Sequence, residues 1–131
     1  LIHFDERWVT ISWDADVQAV LVEWKGFAES KDLRSALDTA LDLLRKRKAT
    51  RCLGDCRRAG PTTQDDQRWA NESWLPRTAA LGVRQIAYVL PRSAVARMSL
   101  MRSVFRFEDQ DLVQAHFDDI DAARAWLLSQ G

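Results

Sequence analysis

From Val17 to Trp24 the chain reads Val-Gln-Ala-Val-Leu-Val-Glu-Trp, which is almost continuously apolar. A run this short and this rich in β-branched residues is a strand, and one with so little polar alternation has to be covered on both faces. That requirement calls for layers above and below a sheet. The preceding segment, Trp8 to Trp13, alternates Val9, Ile11 and Trp13 against Thr10 and Ser12, the period of a half-buried strand. With Asp14-Ala15-Asp16 as a tight turn, the two strands form a hairpin, the first outermost and the second central.

Leu33, Ala36, Leu37, Ala40, Leu41 and Leu44 recur at helical spacing, so a helix follows, with Ser30 placed to cap it. Its last turn carries Arg45, Lys46, Arg47 and Lys48, which complement the negative end of the helix dipole and read as a solvated helix end. Arg51 to Asp55 is a short third strand. Gly60-Pro61 breaks the chain before Thr62 or Thr63 caps a second helix. Pro76 lacks a backbone donor and should kink or end that helix near Leu75, and Gly82 suits a left-handed stop after Leu81. Ile86 to Leu90 is a fourth strand, Ser93 to Phe107 is helical, and Leu112 to Phe117 is a weaker fifth strand. A closing helix carries Ile120, Ala123, Trp126 and Leu127 and is capped by Asp118 or Asp119. The order implies one α/β domain over residues 1–131: a mostly parallel sheet of four to five strands with an antiparallel edge strand, and helices packed on it.

A chain of 131 residues is long enough for one core and too short for two ordinary ones. With 19 basic and 19 acidic residues there is no net charge to attract nucleic acid or anionic lipid at long range, so neither is an expected partner. No apolar run approaches the roughly 20 residues of a membrane span, and no signal-peptide pattern opens the chain, so a cytoplasmic location is expected. Because the sequence starts at Leu1 and not at methionine, a short preceding segment is expected as well. Cys52 and Cys56 on one strand would lie about 13 Å apart, beyond the reach of a disulfide, which predicts two reduced thiols.

The residues from Asp55 to Arg77 carry the chemistry most worth weighing. Asp55 and Arg57 stand at the carboxyl end of a parallel strand, the edge of an open sheet where ligands bind. At about 100° per residue, Asp66, Trp69, Ser73 and Arg77 fall within one arc of the second helix, so charges share a face with an aromatic side chain that should be buried. Such local conflict is a mark of functional sites. The plainer account is an ion pair, Asp55 or Asp66 with Arg57 or Arg77, that fixes the loop against the helix. Trp69 and Trp74 read as core ahead of a ligand platform, with a guanidinium stacked on an indole as a local arrangement. Leu100, Met101, Val104, Phe105 and Phe107 form an apolar group suited to core packing, a pocket wall or a subunit contact.

Other chemistries lack their residues. His3 and His116 sit in separate elements with no nucleophile motif beside them, so no catalytic triad is expected. Cys52-x-x-x-Cys56 has no second ligand pair for zinc, so no metal is expected. Gly54 and Gly60 form neither common phosphate-binding fingerprint, and no cofactor is expected. Cys56 reads as inert packing, with a thiol pKa lowered by the neighbouring Arg57 and Arg58 as the alternative.

Read together, Glu23-Trp24-Lys25-Gly26, Asp55-x-Arg57, Asp66-x-x-Trp69, Trp74-x-Pro76-Arg77 and Phe117-Asp118-Asp119 leading to Ala122–Trp126 resemble the bacterial STAS-like family of the SpoIIAA-like fold. Wider relatives of that fold include the CRAL-TRIO lipid carriers. The resemblance spans about Val20 to Leu127 and is weakest over residues 93–111. It implies a four- or five-stranded sheet with helices and little biochemistry of its own. In the anti-sigma-factor antagonists of this fold a phosphorylatable serine follows the aspartate matched here by Asp55. This chain has Cys56 there, so the switch residue is not matched, and Thr62 and Thr63 are only distant substitutes.

Resemblance and residues together predict a non-catalytic regulatory domain that binds a protein partner or forms a homodimer. The ligand- or partner-binding candidates are Asp55, Arg57, Asp66, Trp69, Trp74 and Arg77. The alternative is a carrier or sensor of a small amphipathic or lipid-like ligand, held between the Asp55–Arg77 segment and the Leu100–Phe107 group. An enzyme using Asp55 or Asp66 as acid or base comes third.

Overall fold

A computed structural model describes residues 1–104 and 107–129, without the side chains of 103 and 104. Three strands open the chain: β1 (Ile2–Asp5), β2 (Val9–Asp14) and β3 (Ala19–Trp24). Helix α1 (Ser30–Arg47) leads to β4 (Arg51–Asp55), after which α2 (Gln64–Trp69), a π-helical turn (Ala70–Trp74) and α3 (Leu75–Ala80) run end to end. Then come β5 (Gln85–Val89), α4 (Ala94–Val104), β6 (Val113–Phe117) and α5 (Ile120–Ser129). The strands lie side by side in chain order, antiparallel from β1 to β3 and parallel from β3 to β6.

The α/β class and the mixed sheet follow the reading of the sequence, but the strand count does not. Six strands are present among the described residues where four to five were expected, and β2 is not the outer strand. β1 supplies the difference. Only Phe4 of its four residues is even half-buried, so it carries almost no hydrophobic period to read. It is held by the free edge of β2 and by Asp5, which accepts from Thr10 Oγ1 at 2.8 Å and pairs with Lys25 Nζ at 2.9 Å.

Parallel neighbours joined in order by right-handed crossovers put their connecting helices on one face. The packing agrees. Val20, Val22, Cys52 and Ile86 meet Ala36, Ala40 and Leu44 of α1, together with Trp74 and Leu75. The opposite face of β4 to β6 is covered by α5, whose Ala123 and Leu127 pack on Leu53, Ala87 and Val89. Thr10 and Ser12 point away from the α1 side, which explains why β2 alternates while β3 does not.

The capping expectations resolve one by one. Thr63 Oγ1 accepts from the Asp66 amide and Asp119 Oδ1 from the Ala122 amide, so these are the caps of α2 and α5. Ser30 is not the cap of α1. Glu29 holds that position without a side-chain bond, and the Ser30 hydroxyl is used elsewhere. The helix does not end at Leu75 either. It widens ahead of Pro76, where the Leu75 amide bonds back five residues to the Ala70 carbonyl, and then continues to Ala80. Gly82, at φ +96°, makes the expected left-handed stop. Among the described residues no helix is long and apolar enough to cross a membrane.

Candidate functional site

The parallel strands β3, β4 and β5 end together, and the loops that leave them border an open-mouthed cavity of about 130 Å³. Trp24 at the end of β3 borders it with Gly26 and Ala28 after that strand, Cys56 and Ala59 to Thr62 after β4, and Pro91 after β5. The N-terminal halves of α1, α2 and α4 close it with Leu33, Leu37, Asp66, Gln67, Ala96 and Ser99. Open α/β sheets bind ligands at this edge. Gly60 lies close against Phe27: a Cβ there would stand 3.3 Å from both Cα and Cβ of Phe27.

Asp66 is the acidic group in this wall and is 3% exposed. It is not idle. Ser30 Oγ donates to its Oδ2 at 2.8 Å and Arg34 Nε to its Oδ1 at 3.1 Å, so α1 supplies both partners from one helix face, four residues apart. The Arg34 guanidinium also lies 5.3 Å from the centre of the Trp69 ring, and the Arg77 guanidinium lies 5.7 Å from the same centre. Arg77 continues outward, donating to Asp38 Oδ1 at 3.0 Å and to the Ser73 carbonyl at 3.2 Å. The result is a ladder of alternating charge with one indole in it, running between α1 and the α2–α3 stretch. Trp74 lies beneath, 5% exposed, its Nε1–H donating to the Leu37 carbonyl at 2.7 Å.

Asp55 is separate from this ladder. Arg57 donates through Nε to Oδ1 at 2.9 Å and through Nη2 to Oδ2 at 2.7 Å, a two-pronged pair, and its amide adds a third bond at 3.2 Å. Burial alone would raise the Asp55 pKa, but the Arg57 bonds and charge outweigh it and hold the carboxyl below the ordinary carboxylate range. A carboxyl so held is ionised near neutral pH and has no proton to give as an acid.

Of the four pairings left open by the sequence, the structure contains Asp55 with Arg57. Asp66 pairs with Arg34 and Arg77 with Asp38, two partners the sequence did not single out. The shared arc of Asp66, Trp69 and Arg77 is real, and Arg34 is what joins it. Of the six candidates only Asp66 borders the cavity; Trp69, Trp74 and Arg77 hold the adjoining helices, and Asp55 and Arg57 fix the β4 loop. Leu100 borders the cavity and Phe107 packs against the α1-side core, while the Val104 side chain and Phe105 lie outside the described residues.

Cys52 and Cys56 are both free and buried. Burial pushes each thiol up to about 12, and for Cys56 the Asp55 charge adds to the effect. The buried thiol fits the reading of Cys56 as inert packing and goes against the alternative of a lowered pKa. Arg57 and Arg58 are spent on Asp55 and Glu23, leaving desolvation dominant. The solvated basic helix end also holds a contact: the Arg47 guanidinium stacks 4.9 Å from the Trp13 ring centre, while Arg45 pairs with Asp42. His3 and His116 are exposed on β1 and β6, the two outer strands. No protein-family model matches the chain, and no curated protein matches it.

Proposed function

We propose that this chain is a non-catalytic binding domain, a sensor or carrier of a small amphipathic molecule held at the carboxyl edge of the sheet. The observation that carries this reading is the cavity itself: a mostly apolar chamber with one buried carboxylate in its wall, at the edge where such sheets take ligands. Non-catalytic is the better description because both candidate carboxylates are tied to arginines. Neither histidine is among the residues around the chamber. Native mass spectrometry of freshly purified protein should show a bound small molecule, and a panel of small amphiphiles should raise the melting temperature. Absence of both sinks the proposal.

A second reading, a protein-interaction domain of the STAS type, rests on the sequence resemblance and on Val95 and Met98. These side chains are 63% and 62% exposed and sit three residues apart on α4, hence on one face. Sedimentation should then reveal self-association that a Met98→Glu substitution weakens. A strict monomer at every concentration, with no partner in pull-downs, counts against it.

A further inference from the structure

We infer that the chamber selects a neutral, benzene-sized molecule carrying one hydrogen-bond donor, of the phenol class, and that it rejects acids. This deepens the binding role proposed above and rests on it. Size comes first. A dry apolar cavity of about 150 Å³ accepts benzene, so a chamber of about 130 Å³ has room for a single small ring.

Polarity comes second. Neither lysine, arginine nor histidine is among the described residues around the chamber, so no side-chain cation there is offered to a carboxylate or phosphate. Asp66 stands there instead. Each carboxylate oxygen has about two acceptor positions, and the described bonds to Asp66 use one on each, from Ser30 and Arg34. Acceptor capacity is left over. The neighbouring Gln67 points the same way: its Nε2 donates to both the carbonyl and the hydroxyl of Thr62, which leaves an oxygen as its remaining function.

Charge decides between a neutral donor and a cation. Arg34 already balances Asp66, so an ammonium brought into the chamber would be desolvated without a free partner of its own. A carboxylate would likewise be desolvated there without a free side-chain cation of its own. A neutral hydroxyl can use the spare acceptor position and leave its ring on the apolar wall, with no charge buried.

The test is a ligand series on the unaltered chain, using phenol, toluene, benzylammonium and benzoate. It is read by amide chemical-shift titration at Gly60, Ala70 and Ala96 and by melting temperature. Phenol is expected to bind about tenfold or more tightly than toluene, the range of one hydrogen bond to a charged acceptor. Benzoate and benzylammonium should give no saturable shift. In Asp66→Asn, if it folds, the preference for phenol over toluene should shrink, while in Ala59→Leu, which fills the chamber's border, both should weaken. Equal binding of phenol and toluene, or tighter binding of either ion, overturns the selectivity and leaves the chamber as a binding site. If none of the four probes binds, or if Ala59→Leu leaves every titration unchanged, the proposed binding role falls with it.

Discussion

Asp55 and Asp66 are both nearly inaccessible aspartates at the same edge of the sheet, and both are paired with arginine, yet they are built from opposite ends of the chain's logic. Asp55 is satisfied by its own loop, through the side chain and amide of a residue two positions on. Asp66 is satisfied by α1, through residues 36 and 32 positions away. A pair closed within one loop fixes the shape of that loop. A pair closed across such a separation fixes two helices against each other, and here the gap beside the clamp is the chamber. The same residue type thus does local work in one corner and tertiary work in the other.

The sharpest way to break this contrast is to remove what lies under the long-range corner. Trp74→Ala should lower stability by about 3–5 kcal/mol in urea unfolding, the range for emptying a buried aromatic site. Trp74→Phe keeps most of the ring volume and loses the bond to the Leu37 carbonyl, with an expected cost of about 1 kcal/mol. If Trp74→Ala costs no more than Trp74→Phe, the tryptophan does not seat the second helix, and the ladder above it carries the docking instead.

What could be read from the chain follows the same division. The pairing of Asp55 with Arg57 was among the readable options because both partners lie in one short motif. Arg34 could not be picked out, since its role depends on where α1 crosses α2. Ser30 is ambiguous for the same reason: a serine before an apolar stripe looks like a cap, and only the fold shows that its hydroxyl faces Asp66. The one signal available was the spacing of Ser30 and Arg34, four residues apart on a single helix face. β1 escaped notice because it has almost no buried side to imprint a period, whereas β3, covered on both faces, was evident. The chamber is the extreme case. It is bordered by residues from three loops and three helices, so no contiguous stretch of sequence represents it.

Acid titration sharpens the contrast at the local corner. The folded Asp55 pKa is depressed below its unfolded value, so its contribution is present above about pH 4 and is lost as pH falls through the folded pKa. At pH 7 Asp55→Asn should cost about 1.5–3 kcal/mol, the range for hydrogen bonds to a charged group. The gap between wild type and variant, followed by urea midpoint, should narrow steadily as pH drops below about 4. A gap that stays constant through that window would show that the loop depends on shape and not on the charge of Asp55.

The outermost rung should matter least. Arg77 and Asp38 are 44% and 50% exposed, and exposed pairs contribute about 0–1 kcal/mol because water screens them and both side chains lose freedom on pairing. The same guanidinium lies over Trp69, however, and stacking on an aromatic at an exposed site is worth about 0.5–1 kcal/mol. Salt separates the two contributions. Asp38→Ala removes only the ion pair, so its small cost should vanish between about 0.05 and 0.5 M NaCl as the Debye length shrinks. Arg77→Ala removes both and the bond to the Ser73 carbonyl, so the part that survives in high salt belongs to the indole and that carbonyl together. If nothing survives, Arg77 is a surface charge and the ladder ends at Trp69. A residue that does survive supports the ring as a shared seat for two guanidiniums, one from each helix that the Asp66 corner clamps.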